Sequence, residues 1–312
     1  MTQRLIRSDI EHAATAVRAG GLVVLPTETV YGLAADATDP VAVGRIFEVK
    51  GRPADHPLIV HLADPEDLAR WAPDAPDSAR RLAATAWPGP LTLIVPRSPQ
   101  LPAEVAGGRD TVGLRVPAHP MARAVIRSAG VPLAAPSANR FGEVSPTTVD
   151  HVVDDLGSLL DPERDVVLDG GPCPVGVEST IVDCTTQPVQ ILRSGAITAD
   201  QVRAILDAEV AGAAGPARAS GMLASHYAPH CEVRLVDSAD DAAALAAGTL
   251  GARVLDLTDD LPRYARELYA ALRAADRDGV RTLIAVLPAA EGLGHALCDR
   301  LGKAAAPRPS RS

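Results

Sequence analysis

Apolar residues recur along this chain at two spacings, and switching between them divides it into helices and strands. Ile10, Ala13, Ala14 and Val17 form one helical face, opened by a Ser8/Glu11 capping pair and stopped by Gly20 and Gly21 before the run LVVL. Asp39 as N-cap and Pro40 in the first turn start a helix that Gly51 ends, which puts Lys50 in its last turn. Asp64-Pro65 and Ser145-Pro146 open further helices, and another covers residues 121–128. The runs LIVHL, LTLIV, VGLRV and PLAAP read as buried strands. VVLD, STIVD and VQILR then follow one another without an intervening helix, so the sheet is expected to be mixed. Thr198 and Gln201 cap a last helix, after which periodicity lapses into Gly, Ala and Pro. The division predicted is a first domain over 1–208, a linker over 209–230 and a second domain over 231–312. In that second domain VRLVD, ARVLDL and TLIAVLP alternate with helices rich in alanine and arginine, as in a small Rossmann-like α/β unit. The fold class is α/β throughout.

Composition narrows the functions this pattern can serve. A chain of 312 residues with 47% apolar content can build a core in each of two domains. With 3% aromatic residues and a net charge of -9, it lacks the stacking platform and basic surface of a nucleic-acid-coating protein, which also counts against direct tRNA binding. Cys173, Cys184, Cys231 and Cys298 have no paired C-x-x-C spacing, no apolar run approaches a membrane span, and MTQRLIRSDIEH lacks a signal peptide's apolar stretch. A cytoplasmic protein without a structural zinc and without a membrane partner is expected.

The candidate chemistry is anion binding. Lys50 and Lys303 are the only lysines, and Lys50 and Arg52 flank Gly51 in an anion-binding turn, although a cation there also favours the helix dipole. Arg115 and Arg193 add charge, and Thr111, Ser137 and Ser145 add directional donors for a phosphate-bearing substrate. Ser145 reads equally as a helix N-cap. Arg115, at a strand end, has the planar fork that takes a carboxylate in two parallel hydrogen bonds, while His61 at the end of LIVH is either structural or orients a substrate amine. Ser137 and Ser179 have no histidine beside them and G-x-S-x-G does not occur, which favours catalysis by positioning and charge over a covalent intermediate.

Six segments in order, PTETVYGL, KGRPADHPLIVH, WPGPLTLIV, TVGLRVPAHP, APSANRFGEVSPT and GVESTIVD, resemble the YrdC-like family of threonylcarbamoyl-AMP synthases, over roughly residues 7–208. ASGMLASHYAPH and HALCDRLGKAAA resemble the linker and end of its long, two-domain form. The resemblance implies a twisted sheet around a concave cavity, and a reaction of L-threonine, bicarbonate and ATP that gives threonylcarbamoyl-AMP and pyrophosphate. It implies that Lys50 and Arg52 are catalytic, and that ATP meets Lys50, Arg52, His56, Thr111, Ser137, Asn139, Ser145 and Arg193. The segment 220–229, with His226 and Tyr227 offering polar contacts amid Gly, Ala and Pro, reads as a lid over the nucleotide whose far end the second domain tethers, or else as ordinary interdomain packing of Met222, Leu223 and Tyr227. Threonine is implied to meet Thr29, His61, Arg115, the backbone around Ala135, and Ser179. His56 stands where the family usually has asparagine. Magnesium is expected to accompany ATP, with no protein ligand nominated for it. The product is implied to feed the tRNA threonylcarbamoyl transferase machinery. Two other classes stay open: a carbamoyl-phosphate-using transferase, and a binding module for double-stranded RNA.

Overall fold

The computed structural model describes residues 6–7, 9–215, 219 and 227–307. The first elements are β1 (Ile6–Arg7), α1 (Ile10–Arg18), β2 (Val23–Leu25), β3 (Gly32–Asp36) and α2 (Pro40–Lys50). The N-cap of α1 is Asp9, whose carboxylate accepts the Glu11 and His12 amides at 2.9 and 3.3 Å; Ser8, expected to open the helix, lies outside the described residues. Glu11 instead accepts the Ser128 hydroxyl at 2.6 Å, so it joins α1 to a helix over a hundred residues away rather than closing a capping box. Helix α2 forms as its signals predict: Asp39 accepts the Val41 amide at 2.8 Å, and Gly51 reverses the chain at φ 62°.

The chain continues through β4 (Ile59–His61), α3 (Leu68–Trp71), α4 (Asp77–Ala86), β5 (Leu91–Pro96), β6 (Thr111–Arg115), α5 (Pro120–Ala129) and β7 (Leu133–Ala134). It ends the first domain with α6 (Val149–Leu156), β8 (Val166–Leu168), β9 (Thr180–Asp183), β10 (Val189–Arg193), α7 (Ala199–Leu206) and β11 (Val210–Gly212). The N-cap expected of Ser145 belongs to Thr148, which accepts the His151 amide at the start of α6. Strand β11 also falls inside the segment expected to be linker; it pairs in parallel with β10 and carries the sheet past Ala208.

The strands make one mixed sheet in the order β1-β8-β2-β3-β7-β4-β6-β5-β9-β10-β11. Parallel pairing of β4 with β6 sets His61 beside Arg115, and antiparallel pairing of β4 with β7 brings the segment after Ala134 alongside Ile59. Because alternate side chains in a strand share a face, Ile59 and His61 both point to the concave side.

The second domain runs β12 (Glu232–Val236), α8 (Ala239–Ala247), β13 (Ala252–Leu255), α9 (Leu261–Arg277), β14 (Thr282–Val286) and α10 (Gly294–Ala305), with an all-parallel sheet ordered β12-β14-β13. The pleat of β14 divides its neighbours: Ile284 and Val286 pack on Ala242 of α8, whereas Leu283 and Ala285 pack on Tyr264 and Leu268 of α9 and Leu297 of α10. Helices therefore cover both faces. The core around α9 also takes in Val30, Val144 and Val177 from the first domain. No helix among the described residues is long and apolar enough to cross a membrane.

Candidate active site

The concave side of the large sheet holds a cleft of about 570 Å³, open space at its mouth included. Nine of the residues expected at the site line it: Thr29, Arg52, His61, Arg115, Ala135, Ser137, Ser179, Arg193 and Tyr227. Their convergence follows from topology, since His61 ends β4, Arg115 ends β6, Ser179 precedes β9 and Arg193 ends β10.

Arg115 is almost wholly buried and divided among protein acceptors. It donates to Glu28 at 2.6 Å, to the Thr29 hydroxyl at 3.0 Å and to the Gly89 carbonyl at 3.2 Å. Glu28 completes the arrangement by accepting the Ala118 amide at 3.0 Å, so its carboxylate holds the guanidinium from behind. Beside it, His61 is buried with Nδ1 3.1 Å from the Ile59 carbonyl. Burial, aided by the Arg115 charge, pushes its pKa down to about 3, so the ring is neutral at physiological pH. Arg193 donates to the carbonyl and hydroxyl of Ser179 at 3.0 and 3.1 Å, and the Ser179 hydroxyl lies 2.7 Å from that of Thr92.

Other expected residues lie around the cleft and not on its lining. Lys50 is buried beneath the Ser137–Asn139 segment, where its ammonium donates to the Ser137 carbonyl at 2.6 Å and also to the Asn139 carbonyl. Burial, with Arg52 nearby, drives its pKa well below the usual lysine range. The Asn139 amide donates to the Arg140 and Glu143 carbonyls, both at 2.8 Å, while its Oδ1 is buried without a hydrogen-bond partner among the described residues. His56 and Arg52 both face Phe141, the histidine edge-on at 5.3 Å and the guanidinium 5.7 Å from the ring centre. Thr111 lines a separate apolar recess with Ile94 and Ile181, which shares Ile59 with the cleft. Ser145 is fully buried and donates to Glu178 at 2.6 Å. His226 and most of the segment expected to be a lid lie outside the described residues.

Glu28 and Glu178 are the acids at the site that sequence reasoning did not single out. Each is buried, and each stands in one of the quoted segments, PTETVYGL and GVESTIVD, where an acid beside buried strand residues was the available signal. Glu178 itself lines the cleft. Burial alone would raise its pKa, but Arg300 and Arg193 outweigh this and hold it at about 2. Among the described residues no group of three or more His, Cys, Asp or Glu is placed to hold a metal ion.

Residues 15–195 match a family model for Sua5, YciO and YrdC proteins described as telomere recombination, and residues 197–306 match one described as threonylcarbamoyl-AMP synthase, C-terminal domain. The chain is similar to the threonylcarbamoyl-AMP synthase of Pyrococcus abyssi, 39% identical over 328 residues that cover 97% of this chain and 95% of that protein. It is similar to the Bacillus subtilis protein of the same name, 38% identical over 341 residues covering 100% and 97%. The crystal structure of P. abyssi Sua5 complexed with L-threonine matches with a TM-score of 0.88 at 39% identity, over 95% of this chain and 94% of the other.

Proposed function

Since the chain belongs to the Sua5/YrdC family of threonylcarbamoyl-AMP synthases, in its long two-domain form, we propose that it forms L-threonylcarbamoyladenylate and pyrophosphate from L-threonine, bicarbonate and ATP. The observation that carries this reading is the convergence of Arg52, Arg115 and Arg193 on one cleft. A cleft with three guanidinium groups suits a reaction between anions, which is run by holding them in line.

The threonine amine attacks the bicarbonate carbon, and loss of water leaves a carbamate. A carbamate oxygen then attacks the α-phosphorus of ATP, the bond to the β-phosphate bridging oxygen breaks, and pyrophosphate departs. Arg115, with Thr29 and His61, takes the threonine end, where the neutral imidazole can bond an amine or carbamate without adding charge. Ser179 and the backbone at Ala135 complete that end. Arg52, Arg193 and Ser137 take the phosphates, and Thr111 meets the nucleotide from the adjoining recess that shares Ile59 with the cleft. Lys50 and Ser145 act from behind, through the Ser137–Asn139 carbonyls and Glu178. Asn139 Oδ1, buried and without a hydrogen-bond partner among the described residues, offers an acceptor for the nucleotide, and His56 edges the same side through Phe141. Tyr227 stands at the cleft wall within reach of the nucleotide, while His226, expected beside it, lies outside the described residues.

Magnesium enters on the phosphates of ATP. Among the described residues, Glu28 and Glu178, the acids at the cleft, are each committed to an arginine and so are not open to it. The adenylate passes to enzymes that modify tRNA adenosine to threonylcarbamoyladenosine. Four cysteines that form no disulfide fit a reducing, cytoplasmic compartment.

The test is pyrophosphate release by the pure chain with each substrate left out in turn. Release is expected only when L-threonine, bicarbonate and ATP are all present. Release driven by carbamoyl phosphate without threonine would assign the chain to the transferase class instead.

A further inference from the structure

The largest fully buried side chain among the described residues belongs to the second domain and reaches the cleft of the first. Arg300, on α10, is 0% exposed, and its Nε donates to Glu178 at 2.8 Å. Its second arm donates to the Ser194 carbonyl at 3.0 Å, next to Arg193, and its guanidinium lies 5.4 Å from the ring centre of Tyr227. Tyr269 of α9 donates to the same Glu178 oxygen at 2.7 Å, while Ser145 occupies the other. Glu178, Arg193 and Tyr227 all line the cleft, so one arginine from outside the first domain touches or adjoins three parts of its wall.

The contact is fixed and closely packed. Gly176, two residues before Glu178, sits at φ 83° against α9, where an added Cβ would come within 2.4 Å of the Ala265 carbonyl and the Arg266 Cα. Val177 is buried in the second domain's core. Tyr227 holds a left-handed backbone at φ 59°, a strained conformation for an aromatic residue, while its ring packs 5.5 Å from that of Tyr269 and over Arg300.

Resting on the synthase reading above, we propose that Arg300 is a positioning residue of the nucleotide site, supplied by the second domain. It neutralises Glu178 so that a polyphosphate can bind beside that carboxylate. A carboxylate bare of its cation would repel ATP, with its several negative charges, more than zwitterionic threonine. The second domain is thereby part of the active site's electrostatics, and more than a tether.

Calorimetric binding of ATP and of L-threonine to the full chain separates this inference from the reading beneath it. If the wild-type chain binds no ATP, the synthase reading fails; if it binds, the variants decide. Arg300→Met should weaken ATP binding by about tenfold or more and threonine binding by less than about threefold. The double variant Glu178→Gln with Arg300→Met should return ATP binding to within about threefold of wild type, because the repelling charge has gone. A purely structural arginine would give no such rescue. Wild-type ATP affinity in Arg300→Met, or a double variant no tighter than the single, would overturn the proposal. Should Arg300→Met give no cooperative melt, the folded double variant decides alone: near-wild-type ATP binding supports the proposal, and lost binding overturns it.

Discussion

Two buried carboxylates flank the cleft, and the pairs they form are inverted relative to each other. In the first, Arg115 faces the cleft while Glu28 holds it from behind, and both come from the first domain. In the second, the acid Glu178 faces the cleft, and the cation behind it, Arg300, arrives from the second domain 122 residues later. A guanidinium in front with an acid behind is a binding group held in orientation. An acid in front needs its charge cancelled before an anion can approach, and that cancellation is supplied by the second domain, whereas the charges of the Glu28–Arg115 pair balance within the first.

The largest effect expected of breaking this comparison comes from the self-contained pair. Arg115→Met leaves Glu28 buried without its cation, which should cost about 3–5 kcal/mol of stability in chemical denaturation. Any folded fraction should show a raised Michaelis constant for threonine well before one for ATP. A threonine constant unchanged in the folded variant would remove Arg115 from that substrate.

A smaller effect is expected at Lys50, which lies behind the cleft wall and, among the described residues, donates to backbone carbonyls and not to an acid. Lys50→Met keeps the apolar stem but removes the donor to the Ser137 and Asn139 carbonyls. Loss of charge-assisted hydrogen bonds worth about 1.5–3 kcal/mol should appear both as a lower melting temperature and as a roughly tenfold or greater fall in kcat/KM. A variant with full stability and reduced activity would mean that Lys50 leaves the carbonyls to meet the phosphates.

The smallest effect is in the acid range. His61 has its folded pKa depressed from 6.5 to about 3 by burial and Arg115, so as pH falls below 6.5 the unfolded chain takes up a proton that the folded chain refuses. The stability present above pH 6.5 should therefore drain away between 6.5 and 3. His61→Gln should flatten that slope in denaturation series at pH 7.5, 6 and 5; an unchanged slope would place the acid sensitivity elsewhere, with His151, depressed to about 4, the next group to replace.

Much of the fold was legible because its signals are local. The Asp39-Pro40 start and Gly51 stop of α2, the Thr198 and Gln201 box of α7, and the apolar runs of β4 to β7 each decide their own conformation. Failures came where a local signal met a stronger distant partner. Ser145 is a good cap by composition, yet its hydroxyl is claimed by Glu178, and Thr148 takes the helix. Helix α4 buries Ala79, Leu82 and Ala83, a face with one large apolar side chain and too small to declare itself by pattern. At the site, the arginines could be read because positive charge in sequence motifs has few other uses. Glu28, Glu178 and Arg300 could not, since their meaning lies in partners 87 to 122 residues away.

The central claim, that this cleft joins threonine and bicarbonate to the adenylyl group of ATP, is most directly tested by the mass of the product made from carbon-13 bicarbonate. The predicted result is an adenylate containing threonine and one labelled carbon, formed together with pyrophosphate. An adenylate without the label, or ADP and phosphate in its place, would contradict it.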